Sequence, residues 1–294
     1  MTVQEGTVDS GGVKLHYLDW GGTGPPLILL HATGFLAKLW QPIAEQLTDR
    51  YRVVAYDQRG HGDSDDVPDG YSFEQFAVDL QAVIEGLGLD QPPGSPGASI
   101  SAAGHSGGAS TIAVHAARYP GVIGRAVLIE PILPKREWMV GEANTRADGA
   151  RKRRAVWSST NEMFESYRAR PPFDTWRQDM LLIYIEEGTR RREDGQVELK
   201  CPPQLEALYY EAVRQADFWP LLAKVQCPTL FVWGENGDLR ARMGEGLENE
   251  VPNSHTVSVP DTTHFLVMEK PDALAALLKD DSLFIQNVAQ ASRR

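Results

Sequence analysis

The sequence predicts an α/β fold: a mostly parallel central sheet flanked by helices. Three observations predict it. Short, nearly continuous apolar runs recur at 27–30, 51–56, 126–129 and 228–233, the pattern of strands buried on both faces of a parallel sheet. Stretches with apolar residues at helical spacing lie between several of them, so that the chain alternates strand, helix, strand. The runs also stop abruptly at polar, glycine-containing clusters, as strands do where a parallel sheet presents its ligand-binding loops.

In chain order, 13–20 alternates apolar and polar residues between two glycine pairs and predicts a half-buried strand paired with the segment before it, with His16 on its outer side. The run at 27–30 follows and ends in His31-Ala32-Thr33-Gly34-Phe35. Helical spacing over 40–47 leads to the strand at 51–56, which ends in Asp57-Gln58-Arg59-Gly60-His61-Gly62-Asp63-Ser64. Phe76, Leu80, Val83, Ile84 and Leu87 share one face of a helix predicted over 73–89. A Pro/Gly-rich connection, 91–97, precedes a strand into Gly104-His105-Ser106-Gly107-Gly108, and a helix follows directly. The sixth strand, 126–129, stops at Glu130-Pro131.

The rhythm then breaks. Residues 134–223 contain helical patterns, basic runs at 151–154 and 190–192, and many aromatic residues, but no convincing buried strand. They predict a helical cap inserted after the sixth strand, leaving 1–133 and 224–294 as one core domain. The basic runs read as solvated faces, and most of the aromatics as packing within the cap, with some roofing the site and favouring apolar substrates. Strands at 228–233 and 255–259 resume the alternation, ending near Asp238 and His264, and a terminal helix carrying Leu274, Leu277, Leu278 and Phe284 closes the fold.

A chain of 294 residues suffices for this architecture, and a net charge of −11 argues against nucleic-acid and anionic-membrane partners. The N-terminus lacks a signal-peptide pattern, and neither cysteine, Cys201 or Cys227, has metal-ligand spacing. A cytoplasmic location with reduced thiols is the expectation.

Chemistry collects at the predicted strand ends. A serine on a tight strand-to-helix turn needs small neighbours and faces free N–H groups of the helix N-terminus, which makes Ser106 a candidate nucleophile. His264 is the histidine of the last strand-end loop and a candidate base. Asp238 is the expected acid, with Glu130 as the alternative and Glu235 also at hand.

These segments resemble the α/β-hydrolase superfamily, in its lid-bearing serine esterase form. The resemblance rests on the Gly-x-Ser-x-Gly elbow around Ser106, the order Ser106, Asp238, His264, the His31–Phe35 turn at the family's oxyanion position, and the 57–64 segment. It implies an α/β-hydrolase fold and cleavage of a carboxylic ester or lactone through an acyl-enzyme, with Ser106 attacking, His264 relaying the proton and Asp238 orienting the imidazole. The backbone N–H groups of Thr33 and Gly107 would hold the oxyanion. No cofactor or metal is needed, and a small ester-like molecule is the expected partner. The same site also suits a carbon–carbon bond hydrolase, an acyltransferase or a perhydrolase, and the scaffold suits a non-catalytic receptor. Where relatives usually have glycine this chain has Ala32, which requires a negative φ there. His31 and His61 read as neutral, structural side chains.

Overall fold

The structure is a computed structural model that describes residues 2–90, 100–243 and 246–285. The chain begins with β1 (Gln4–Ser10), β2 (Val13–Gly21), β3 (Pro26–Leu30), α1 (Gln41–Leu47), β4 (Arg52–Tyr56), α2 (Phe73–Gly86), β5 (Ile100–His105), α3 (Gly107–Arg118) and β6 (Ile123–Ile129). An insertion follows with α4 (Thr145–Arg151), β7 (Val156–Trp157), α5 (Thr160–Tyr167), α6 (Gln178–Glu187), β8 (Thr189–Arg191), β9 (Val197–Leu199), α7 (Pro203–Gln215) and α8 (Trp219–Leu222). The alternation resumes with β10 (Thr229–Gly234), α9 (Leu239–Arg242), β11 (Ser254–Val259), α10 (Leu266–Glu269), α11 (Pro271–Lys279) and α12 (Ser282–Ile285).

Eight strands form one sheet in the order β1-β2-β4-β3-β5-β6-β10-β11. The β1–β2 and β2–β4 pairs are antiparallel, and every pairing from β4 to β11 is parallel. The apolar runs follow from burial on both faces. In β3 and β4, Leu27, Leu29, Val53 and Ala55 join a core with Ile43 and Leu47 of α1 and Leu274 and Leu278 of α11. The alternate residues Ile28, Leu30, Val54 and Tyr56 join a second core with Phe76, Leu80, Val83 and Ile84 of α2 and Ile112 of α3. A strand whose two faces are both covered must be apolar at every position. Ser72 starts α2 by accepting a hydrogen bond from the Gln75 N–H at 3.1 Å.

The register brings the strand ends together. His105 pairs with Ile129, Ile129 with Val232, and Gly234 with Val259. Ser106, Glu130 and the loops after β10 and β11 therefore emerge at one edge of the sheet.

Two expectations about the insertion need correction. It is not wholly helical, because β7, β9 and β8 form a small antiparallel sheet. Strands of two or three residues are too short to leave a periodic signature. Nor is the basic run at 151–154 solvated throughout. Arg151 and Arg154 pair with Glu211 and Glu162 at the surface, but Arg153 turns inward to Glu206 and the Tyr167 and Tyr184 hydroxyls. His16 is not a free outer-face residue either: its Nδ1 is 2.8 Å from Asp57 Oδ2, which ties β2 to the 57–64 segment. Both cysteines are free thiols. No helix among the described residues is long and apolar enough to cross a membrane. The 91–97 connection and the two residues after it lie outside the described residues.

Candidate active site

The turn at Ser106 is tight and strained. Ser106 has φ 55° and ψ −117°, a conformation an L-residue adopts only when its surroundings enforce it. The enforcement comes from the two flanking contacts. A Cβ on Gly104 would lie 2.6 Å from the Gly108 backbone, and one on Gly108 would lie 2.5 Å from the His31 carbonyl oxygen. The absence of side chains at both positions lets α3 start against β5 and β3, while the Ser106 N–H donates to the Ile129 carbonyl at 2.9 Å. The hydroxyl is presented above the sheet edge with Ser106 only 7% exposed.

His264 faces it. Its Nε2 lies 3.2 Å from Ser106 Oγ, and its Nδ1 lies 3.1 Å from Glu130 Oε2. Glu130 is 1% exposed, and its other oxygen accepts the Gly234 N–H at 2.6 Å. The residue directly follows β6 with φ 49°, a second strained non-glycine position at the same site. Burial pushes the Glu130 carboxyl up to about 7, opposed by the Gly234 hydrogen bond, while burial first and the Arg146 charge second bring His264 down to about 4. An ionised Glu130 can only accept, which places the imidazole proton on Nδ1 and leaves Nε2 free to accept from Ser106. Hydroxyl, imidazole and carboxylate thus form one continuous chain able to move a proton away from the serine oxygen.

The structure does not bring Asp238 into this chain. Asp238 precedes α9 with its side chain 82% exposed, and its ion-pair partner is Arg242 at 3.8 Å. The expectation that Asp238 meets the imidazole is therefore corrected: the carboxylate in contact with His264 is that of the alternative, Glu130. The reason lies in where each carboxylate leaves its strand: Glu130 sits at the strand end, beside His264, whereas Glu235-Asn236-Gly237 carries Asp238 outward to solvent. Glu235 points elsewhere as well, accepting from the Asp261 N–H.

The expected oxyanion residues do meet. The Cβ position of Gly107 lies 2.6 Å from Thr33 Oγ1 and 3.7 Å from the Thr33 nitrogen. Gly107 opens α3, so its N–H has no intrahelical acceptor, and the Thr33 N–H has no backbone acceptor among the described residues. Ala32 is absent from the positive-φ residues, as its methyl requires. The turn is held by histidines. His31 donates from Nδ1 to the Ala32 carbonyl at 2.8 Å and accepts the Gln58 N–H at 3.0 Å. His61 donates to the Arg59 carbonyl at 3.0 Å and accepts the Gly34 N–H at 2.9 Å. Burial holds both rings neutral, His61 down to about 3. A neutral ring is what each needs, since each accepts one backbone proton.

Sequence reasoning left two contributors without a role. His105 lies under the site and donates from Nε2 to the His264 carbonyl at 2.7 Å, fixing the loop that carries His264. From the insertion, Arg153 pairs with Glu206 at 2.7 Å, and Glu206 lies 3.0 Å from where a Gly34 Cβ would stand. Nothing in a one-dimensional pattern marks either contact.

A cavity of about 330 Å³ opens at Ser106, Thr33 and Gly107, bounded by Tyr210 of α7 and by residues of the insertion and α9. The insertion's other aromatics are mostly packing: Trp157, Tyr167, Trp176 and Tyr184 join one core and Tyr209 the other. Phe35 of the 31–35 turn meets Trp176 and Tyr184 edge-on at 5.3 and 5.4 Å.

The comparisons agree with this architecture. A bifunctional esterase/perhydrolase of Acinetobacter calcoaceticus is 28% identical over 279 residues, covering 86% of this chain and 90% of that protein. A non-heme haloperoxidase of Rhodococcus erythropolis is 26% identical, covering 91% and 95% respectively. Among solved structures, E-2-(acetamidomethylene)succinate hydrolase superposes with a TM-score of 0.81 at 23% identity, over 96% of this chain and 99% of the other, which speaks for the fold. The model of the alpha/beta hydrolase family matches residues 27–277, and the chain belongs to that family.

Proposed function

We propose that the protein is a serine hydrolase that cleaves carboxylic esters, lactones included, through Ser106, His264 and Glu130. The observation that carries this reading is the unbroken contact chain from Ser106 Oγ through both His264 nitrogens to Glu130, in which the strained backbones of Ser106 and Glu130 hold the two ends.

Ser106 Oγ attacks the acyl carbonyl as its proton passes to His264 Nε2. Glu130 keeps the Nδ1–H in place and balances the imidazolium that forms. The N–H groups of Thr33 and Gly107 stabilise the oxyanion, each donor being worth roughly 3 kcal/mol in such sites. His264 then protonates the leaving alkoxide. Water enters, loses a proton to the same nitrogen and releases the acid from Ser106. The 134–223 insertion acts as a lid over this site. A serine at the elbow disfavours epoxide or haloalkane opening, since displacement at such a carbon would leave an ether that water cannot release.

A second fate of the acyl-enzyme, capture by hydrogen peroxide to give a peracid, is favoured by the likeness to the bifunctional esterase/perhydrolase and the haloperoxidase. It uses the same residues with peroxide replacing water.

The test is labelling with a fluorophosphonate together with p-nitrophenyl ester turnover. Wild-type protein should label and turn over, and Ser106→Ala should do neither. Wild-type protein that does not label would overturn the hydrolase reading.

A further inference from the structure

The cavity beside Ser106 has a charge opposite to that of the whole chain. The molecule carries 40 acidic against 29 basic residues, yet the cavity is lined by Arg146, Arg214 and Arg242, with Glu142 as the only acidic residue among the described residues. These arginines are not equally available. Arg214 is occupied, since its guanidinium donates to the Met139 and Glu142 carbonyls. Among the described residues Arg242 reaches only the exposed Asp238, at 3.8 Å. Arg146 has no ion-pair partner among the described residues, whereas Arg151, Arg154 and Arg168 of the same insertion each hold a carboxylate.

Arg146 is held at the wall by the packing beneath it. Ala147 and Ala150 of α4 are buried against Ala207 of α7, and Tyr210 packs on the same cluster. Small residues let the two helices approach closely, so the residue next to Ala147 is placed by a rigid contact although its side chain is exposed. The charge is also felt at the chemistry, where it follows burial as the second cause of the lowered basicity of His264.

We propose that Arg146, assisted by Arg242, receives a carboxylate carried by the substrate, so that the site takes acyl groups with an anionic end, such as monoesters of short dicarboxylic acids. This rests on the serine hydrolase reading and names its substrate class. A guanidinium offers two parallel N–H donors that match a carboxylate, and an arginine without an internal partner gives up none to bind one. The apolar lining, including Ile132, Leu239 and Met243, suits the methylenes between the two ends. An overall charge of −11 repels anions at long range, so a local reversal of sign at the cavity is what an anionic substrate needs in order to enter. The expectation of apolar substrates thus becomes one of an apolar chain with a charged terminus.

The test compares kcat/KM for mono-p-nitrophenyl glutarate and for its methyl ester, at fixed pH and ionic strength. Wild-type protein should prefer the charged ester tenfold or more. Arg146→Gln should reduce that ratio at least tenfold, and Arg146→Lys should reduce it less. Arg168→Gln, a surface control remote from the cavity lining, should leave the ratio unchanged. A wild-type ratio near one, or a ratio that Arg146→Gln does not alter, overturns the proposal. Calorimetric binding of glutarate to Ser106→Ala protein tests recognition without turnover, and adding Arg146→Gln should weaken it tenfold or more. Labelling at Ser106 with no charge preference would refute the carboxylate receptor alone. Binding that depends on Arg146 in a protein that does not label would support the receptor and refute the hydrolase.

Discussion

Replacing Glu130 by glutamine changes one atom and should reverse the direction of a hydrogen-bond chain. The glutamine carbonyl keeps the Gly234 N–H that now lies 2.6 Å from Oε1, which turns the amide NH₂ toward His264 Nδ1. An NH₂ group can only donate, so Nδ1 must become an acceptor and the imidazole proton moves to Nε2, facing Ser106 Oγ at 3.2 Å. A protonated Nε2 cannot take the serine proton. Wrong-tautomer substitutions of this kind lower turnover by roughly 10⁴-fold, or about 5.4 kcal/mol at about 1.36 kcal/mol per decade. Stability should move the other way. A carboxyl whose folded pKa is raised to about 7 favours the folded state while protonated, and that contribution is lost as pH rises through the folded value. Above pH 7 the buried charge therefore costs on the order of 3 kcal/mol, which an uncharged glutamine does not incur. At pH 8, Glu130→Gln should lose 10³- to 10⁴-fold in kcat/KM for a p-nitrophenyl ester with a melting temperature no lower than that of the parent. Asp238→Asn should stay within about threefold, because its carboxylate is solvated. The opposite ranking would refute the assignment of Glu130.

Three further outcomes follow from the same contacts. The proposed mechanism needs Glu130 ionised and His264 neutral, so kcat/KM should fall as pH drops through about 7, and Glu130→Gln should remove that limb from the pH–rate profile. A limb that survives in the variant would assign it to another group. Thr33→Val should lower kcat about tenfold with the melting temperature unchanged, since Thr33 Oγ1 lies beside Gly107 at the oxyanion position; unchanged turnover would leave the backbone N–H as the residue's sole donor. Gly108→Ala should lower the melting temperature by roughly 5 °C or more, because the new Cβ would stand 2.5 Å from one backbone carbonyl oxygen and 2.6 Å from another; a variant with parental stability would mean that the elbow can relax.

What could be read along the chain was local. The alternation of Leu27 to Leu30 between two cores, the helical face of Phe76 and Leu80, and the turn around Ser106 each depend on residues within a few positions of one another, and the structure has them in place. The role of His31 and His61 was also legible, because a neutral ring in a buried turn needs one donor and one acceptor. Arg153 was not: three neighbouring cations suggest a solvated face, and its partners Glu206 and Tyr184 lie 53 and 31 residues away. The short strands of the insertion were likewise invisible, since two or three residues carry no period.

The sequence by itself determined the sheet, the tight turn at Ser106 and the histidine that faces it, because apolar periodicity and glycine spacing act over one element at a time. Only the tertiary structure decided which carboxylate meets that histidine. Glu130 and Asp238 both follow buried strands, and choosing between them requires the path of the backbone after each strand: φ 49° at Glu130 keeps the carboxylate under His264, while the turn after Gly234 carries Asp238 into water. The same holds for Arg146. Its place in the wall of the cavity that opens at Ser106 comes from the packing of α4 on α7, a contact between segments some sixty residues apart that no local pattern encodes.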